Sequence, residues 1–385
     1  MDNLTHSLVG LAAAKAGLDR LSPYSTTVCL LAANAPDIDS ASGFFGDRWT
    51  VLQHHRGITH SILGTFLLAL IVPALVFALA KLVSRRRTQP APARFRGLLI
   101  ASAISIVTHP LLDWTNNYGV RPLLPWSGKW FYGDLAFVVD PYIWLVLGGA
   151  VFLLTSKRWT QIGLWTVIGA ISTPLVLLAT LPRISEGAAL GTLRRIWVGG
   201  VVVLIVIRVF RLHEPLGRSI VAGGLTLLVL YFGGLWWAHH TAYENALHEA
   251  NLISLSHGEH LARIAAMPVL ANPFRWQCVM ETDKADYRFY VGTAEVSTNS
   301  GSSADPSGIE RFEKPSSHGN QLISEAEKDR RVRIFLGFAR FPIARVADED
   351  CVGQSLVQFA DLRYTEPGST RGGFAVSVPV GCPAH

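Results

Sequence analysis

The chain is short of charge, of cysteine and of methionine. Only 16% of its 385 residues are Asp, Glu, Lys or Arg, while half are hydrophobic. Soluble domains carry about a quarter charged residues, so this balance excludes the ordinary soluble class. Four cysteines are too few for a disulfide framework. Cys29 lies in an apolar segment and reads as a small core residue, whereas Cys278, Cys351 and Cys382 would permit one disulfide with one thiol left over. A basic stretch ahead of the first apolar run is missing, and Asp2 stands there instead. No cleavable signal peptide is therefore expected, and the spans themselves direct the chain to the membrane. No internal repeat is evident, which tells against the inverted-repeat architecture of many transporters.

What is present is a set of long apolar runs: Ile62–Val83, Gly97–Leu112, Tyr142–Thr155, Gln161–Leu181, Ile196–Ile207 and Ser219–Trp237. A bilayer crossing needs about 20 residues, so most of these are span candidates, and two are short. The net charge of +6 comes from loops rather than from a nucleic-acid-binding face. Arg85, Arg86, Arg87, Arg94 and Arg96, then Lys157 and Arg158, then Arg208, Arg211 and Arg218 fall on one side when crossings are counted. The positive-inside rule makes that side the cytoplasm, with Arg183, Arg194 and Arg195 dissenting. No nucleic-acid partner is expected. This topology puts everything after Trp237 outside, in an extracytoplasmic tail.

Residues 4–18 read as a short helix, with Thr5 available as its cap and Gly17 near its end; Tyr24–Ala35 reads as a second. The two would form a hairpin among longer helices, with Lys15 and Arg20 at the cytoplasmic end. Trp114–Pro141 is a long loop rich in aromatic residues, readable either as an interfacial belt or as a lid. Thr241–Ala266 reads as an amphipathic helix. After it, Tyr287, Phe289 and Val291, then Val332, Ile334 and Leu336, then Phe374, Val376 and Val378 alternate as strands do, with a polar break at Thr298–Asn320. The expected architecture is thus mostly α: a polytopic membrane helical bundle over residues 1–240, then an amphipathic helix and a small soluble β-rich domain over 241–385.

Chemistry concentrates in the first 113 residues. His109-Pro-Leu-Leu-Asp113 has an i,i+4 spacing that puts both side chains on one helix face. Pro110 suggests a kink or a helix start there. His55-Arg-Gly-Ile-Thr-His60 precedes an apolar span, with Gly57 permitting a tight turn and Thr59 placed to cap the next helix. Asp37 and Asp39 lie in a turn, and His6 begins the first helix. Such groups are costly in an apolar setting unless they pair or bind metal. Imidazole and carboxylate suit zinc, manganese or iron, and zinc is the ion expected. Seven candidate ligands (His6, Asp37, Asp39, His55, His60, His109 and Asp113) exceed one tetrahedral shell and would suit one or two divalent ions. Topology brings them to the outer membrane face.

Taken singly, each has a plain reading: a histidine at a helix end is usually a cap, and Pro-Asp-Ile-Asp is usually a turn. Their joint placement is what carries weight. Asp134 and Asp140 are readable as further ligands or as loop caps. Asp140, before a proline, is the better candidate and joins Asp37 and Asp39 as a possible general base. Arg56 reads as a substrate or interface contact. His239, His240, His248, His257 and His260 in the tail read as a solvated helix face, although the spacing of His257 and His260 would permit metal binding.

Thr5-His6-Ser7, Pro36-Asp37-Ile38-Asp39, His55-Arg56-Gly57-Ile58-Thr59-His60-Ser61 and His109-Pro-Leu-Leu-Asp113 together resemble the YdjM-like family of bacterial membrane-bound, predicted metal-dependent hydrolases. The resemblance covers roughly the first 140 residues. It implies a multi-pass protein of the cytoplasmic (inner) membrane and metal-assisted hydrolysis, and it favours His55 over His54 as a ligand. More distantly, the order of ligands resembles zinc-dependent phospholipases C, which share a His-x-x-x-Asp helix. The expected activity is attack by a metal-activated water on a phosphoester or related bond in a lipid or other amphiphile. The alternative is a metal-binding membrane protein or transporter without a hydrolytic step.

Overall fold

The computed structural model describes residues 1–84, 93–179, 187–270, 272–293, 308–348, 353–369 and 373–381. Its contacts divide the chain into two units. The first comprises Met1–Ile38, Arg56–Trp236 and Pro268–Pro273; the second comprises Asp39–His55, Trp237–Met267 and Phe274–His385. The Arg85–Arg96 linker falls largely outside the described residues, as do Arg183, Cys351 and Cys382.

The first unit is helical. Helices α1 (Asn3–Ala16) and α2 (Ser25–Asn34) form the expected hairpin. Asp2, not Thr5, caps α1: its carboxylate accepts from the Thr5 amide at 3.0 Å and from the Thr5 hydroxyl at 2.7 Å. Gly10 lets the two helices close, because a Cβ there would meet Ala33 and the Cys29 carbonyl under 3 Å away. At the far end of α1, Asp19 accepts from Lys15 at 3.2 Å and from Arg218 at 2.6 Å. Residues 35–44 continue as a run of tight 3-10 turns that passes from the first unit into the second, where α3 (Arg48–His54) follows.

Helices α4 (Ile62–Ser84) and α5 (Phe95–Trp114) run antiparallel beside α2. Their interface with α1 and α2 is built from small and branched residues: Ala14, Val28, Cys29, Ala32, Ala101 and Val76 are all buried. Small residues let helix backbones approach where no water drives association. Ser61, not Thr59, caps α4, its hydroxyl accepting from the Gly64 amide at 3.0 Å. Pro110 lies inside α5 rather than at its start.

The short helix Pro141–Thr155 contains α6 (Pro141–Ile143), a wider π turn at Trp144–Gly148, and α7 (Gly149–Thr155). Then come α8 (Trp159–Ala179), α9 (Gly187–Val209) and α10 (Ser219–His257). Among the described residues α4, α5, α8 and α10 are long and apolar enough to cross a membrane. The Tyr142–Thr155 and Ile196–Ile207 windows fall instead in the short helix and in α9. At 39 residues α10 extends about 58 Å, so the hydrocarbon core needs only half of it.

The second unit differs from the alternating pattern in two places. Helix α10 ends at His257, and Leu261–Val269 is strand β1 rather than the end of an amphipathic helix. Gly258, at φ 61°, turns the chain, so His257 and His260 do not share a helix face. Antiparallel order β1-β2-β3-β4 joins β1 to β2 (Asn272–Thr282), β3 (Ala285–Gly292) and β4 (Glu310–Glu313). Tyr287, Phe289 and Val291 on β3 are buried as their alternation requires.

Two helices follow, α11 (Ser317–Ala326) and α12 (Arg330–Phe338), so β4 and the start of α11 occupy part of the polar Thr298–Asn320 stretch. The Val332, Ile334, Leu336 alternation is misleading. Val332, Phe335 and Phe338 are the buried residues, three apart, and Asp329 caps the helix by accepting from the Arg331 amide at 2.7 Å. Strands β5 (Pro342–Val346), β6 (Gln354–Asp361) and β7 (Ala375–Gly381) form a second antiparallel sheet. Trp49 of α3 joins the core between this sheet and α11 and α12. Cys278 is a free thiol buried on β2.

Candidate metal centre

In the first unit four of the expected ligands meet in a buried cluster. His60 comes from the turn before α4, His109 and Asp113 from the last turns of α5, and Asp37 from the turns after α2. His60 Nε2 is 3.1 Å from His109 Nε2, 3.4 Å from Asp37 Oδ1 and 3.3 Å from Asp113 Oδ2. His109 Nε2 is 3.5 Å from Asp37 Oδ1 and 3.4 Å from Asp113 Oδ2. Five of the six separations among four donor atoms are thus nearly equal.

The ring orientations suit an ion. His109 Nδ1 lies 2.6 Å from the Ala33 carbonyl, which can only accept, so Nδ1 carries the proton and Nε2 presents its lone pair to the cluster. His60 Nδ1 has the Thr59 hydroxyl at 3.2 Å, again leaving Nε2 inward. His6 stacks on His109 with ring centroids 3.7 Å apart, and its Nε2 is 3.4 Å from Asp113 Oδ1. His6 Nδ1 is buried with no hydrogen-bond partner among the described residues. A buried imidazole nitrogen without a partner is expensive, and the His109 lone pair, the His60 imidazole and two carboxylates converge beside it. The donor set therefore fits a metal ion. Burial raises the Asp37 carboxyl, but the His109 and His60 imidazoles outweigh it and hold Asp37 below the usual carboxylate range.

Asp39 and His55 belong to the second unit, where His55 Nδ1 pairs with Asp39 Oδ1 at 3.1 Å. His54 beside them is exposed. Asp140 has other work. Its Oδ1 caps α6 by accepting from the Tyr142 and Ile143 amides at 2.9 and 3.3 Å, and Oδ2 accepts from the Tyr231 hydroxyl at 2.8 Å. Asp134 is a buried loop residue at φ 53° and stands in neither carboxylate–histidine group.

Arg56 is the residue whose role sequence reasoning missed. Read from the sequence as a substrate or interface contact, it is 3% exposed and spends its guanidinium on internal partners. Nη2 donates to Asp113 Oδ1 at 2.9 Å. Nη1 donates to Asn116 Oδ1 at 2.9 Å and to the Gly119 and Asp113 carbonyls at 3.0 and 3.2 Å. The guanidinium also lies 4.5 Å over the Tyr118 ring. One side chain thereby orients Asp113 and ties down the aromatic loop, which an isolated bridge between Val120 and Phe131 also pins.

Apolar helices of spanning length around a buried carboxylate–histidine cluster define a polytopic membrane protein with a possible metal site. Residues 1–183, just under half of the chain and the part that carries the cluster, match the model of the YdjM inner membrane protein family. The uncharacterized protein YfhP of Bacillus subtilis (strain 168) is 28% identical over 153 residues, covering 38% of this chain and 43% of that protein. The match thus spans less than half of either protein. No solved structure matches.

Proposed function

We propose that the protein is a membrane-embedded, metal-dependent hydrolase acting on a phosphoester or related bond of an amphiphile. The observation that carries this reading is the spacing of the four donors. A regular tetrahedron with edges of 3.1–3.5 Å has its centre about 2.0 Å from each corner, the length of zinc–imidazole and zinc–carboxylate bonds. Zinc is therefore the proposed ion, on His60, His109, Asp37 and Asp113, with His6 beside them. When bound, the ion would supply Lewis acidity and a water of lowered pKa. Asp37, the least enclosed of the four, is the proposed general base. Asp39 and His55 extend the proposal to a second ion by chain position alone: Asp39 is two residues from Asp37, and His55 precedes Arg56. Loop charge supports an extracytoplasmic position, at the inner membrane, for the site and the 241–385 domain.

One observation favours the alternative. Four protein donors close a tetrahedral shell, as structural zinc sites do, whereas catalytic sites keep a position open. A non-enzymatic metal-binding membrane protein would need nothing more. Both readings predict bound metal, and activity separates them. Metal content would be measured by mass spectrometry on detergent-purified full chain, beside a His109→Ala/Asp113→Ala variant. Hydrolysis of bis-(p-nitrophenyl) phosphate and of phospholipid vesicles would be assayed on the same samples. Bound zinc with turnover, both lost in the variant, supports the hydrolase; bound zinc without turnover supports the alternative. Well-folded wild-type protein that holds no metal overturns both.

A further inference from the structure

The face that α4 and α5 share is not sealed. A cavity of about 540 Å³ lies between them, and His60 of the metal cluster is one of its walls. From that end the lining passes to Thr65, Pro110 and Trp114, and then to Ala69, Val107 and Ala103. Ile62 to Ala69 advances about 10 Å along α4, and Trp114 back to Ala103 about 16 Å along α5. One leaflet of hydrocarbon is about 15 Å deep. The groove therefore starts at the metal donors and runs into the apolar layer for about one leaflet.

Its chemistry is graded in the same direction. The deep end presents only Ala, Val and Ile side chains, while the shallow end has the His60 imidazole and the Thr65 hydroxyl, which is buried with no hydrogen-bond partner among the described residues. The rim residues Phe66, Val107 and Leu111 are 60%, 48% and 56% exposed, on helices long and apolar enough to span the bilayer. Among the described residues nothing polar lines the groove beyond its His60 and Thr65 end.

We propose that this groove is a lateral entry slot that takes one acyl chain of a bilayer phospholipid, so that the headgroup phosphoester is presented to the His60 end. The assignment of the chain as substrate rests on the hydrolase reading; the occupancy of the slot does not. A phospholipid is the occupant because the groove offers only dispersion and burial along its length and its polar groups only at the end where an ester and a phosphate would lie. Among the described residues no charged side chain lines it, so an ion or a hydrophilic metabolite would gain little there.

The test uses the full chain in nanodiscs of phosphatidylethanolamine and phosphatidylglycerol doped with a phosphatidylglycerol that carries a diazirine in its acyl chain. Photolabelled residues are mapped by mass spectrometry, with metal content measured on the same samples. Leu164, Val167 and Ile171 on α8 are 60%, 55% and 59% exposed and report ordinary lipid contact. Thr65, Phe66, Val107 and Pro110 should be labelled at least about five-fold more than these, a preference of about 1 kcal/mol. Ala103→Trp puts an indole in the slot from an exposed position and should abolish that excess while metal content stays at the wild-type level; Val107→Trp, also exposed, does the same from the next turn. Equal labelling of groove and α8, or an excess that both tryptophan variants retain, overturns the slot. Groove-selective labelling in wild-type protein that holds no metal overturns the chain's assignment as substrate.

Discussion

Replacing Arg56 by Met should cost more than replacing any exposed arginine of the chain, and it should be felt at the proposed metal site, of which Arg56 is not a ligand. The side chain is buried, and its four hydrogen bonds end on Asp113, Asn116 and Gly119. Methionine matches much of the volume but removes the guanidinium from the Asp113 carboxylate, which keeps the Met1 ammonium, and takes one donor from the Gly119 carbonyl and one from the Asn116 side-chain oxygen, which keeps the Tyr118 amide. Removing one partner of a buried charged pair costs about 3–5 kcal/mol. For a unit of about 200 residues that corresponds to a fall in Tm of about 10 °C. Asp113 is one of the four clustered donors, so loosening it should weaken zinc affinity about 10- to 100-fold, the usual effect of losing a group that orients a ligand. Arg56→Lys keeps the charge but not the fork, and should recover only part of either loss. Scanning fluorimetry of the detergent-solubilised chain gives Tm, and titration against a zinc chelator gives Kd. If Arg56→Met shifts Tm by under about 2 °C and leaves Kd within about two-fold, the positioning role is refuted. If Tm falls while Kd holds, Arg56 braces the loop and not the ligand.

Two further outcomes follow from the packing. Gly64→Ala should raise helix propensity by about 1 kcal/mol, yet a Cβ there would overlap the Ile58 carbonyl and push the turn that carries His60; zinc titration should show weakened binding, and an unchanged Kd would refute the close approach. Asp286 on β3 is raised to about 6 by partial burial and by Glu281 directly across the sheet, against Lys314 and Arg263, which lower it. The folded state then holds this proton more tightly than the unfolded state. Stability falls as pH rises from about 4 to about 6 and stays reduced above that. Asp286→Asn should stabilise the second unit at pH 7–8 by about 1 kcal/mol, allowing for its partial exposure, and by nothing at pH 4; melts at both pH values check this, and a gain that does not depend on pH would contradict it.

Helical spans and the members of the carboxylate–histidine cluster were legible because both are written in local patterns. Composition alone marks α4, α5, α8 and α10, and the i,i+4 spacing of His109 and Asp113 fixes their shared face wherever the helix ends. Capping was less legible. Thr5 and Thr59 are good caps by residue type, but a neighbouring side chain, Asp2 or Ser61, won each helix start. The strand reading of 332–336 failed because three alternating apolar residues also sample every third position, and Phe335 and Phe338 decide between the periods. Asp140 looked catalytic because an Asp-Pro pair in an aromatic loop is equally well a helix cap.

Arg56 and the Ala33 carbonyl were beyond reach of any pattern, since what makes them matter is a tertiary contact with residues 57 and 76 positions away. The same reasoning explains how the motif residues divide. His60 and Asp37 are fixed by short turns at the ends of packed helices and meet His109 and Asp113 within one unit. Asp39 and His55, two residues beyond Asp37 and one before Arg56, fall in the other unit together with α3, whose Trp49 is buried among α11, α12 and the β5–β7 sheet. The Asp39–His55 segment thus takes its own packing from the C-terminal residues. Loss of those residues should therefore disturb Asp39 and His55 while leaving the buried group of four intact.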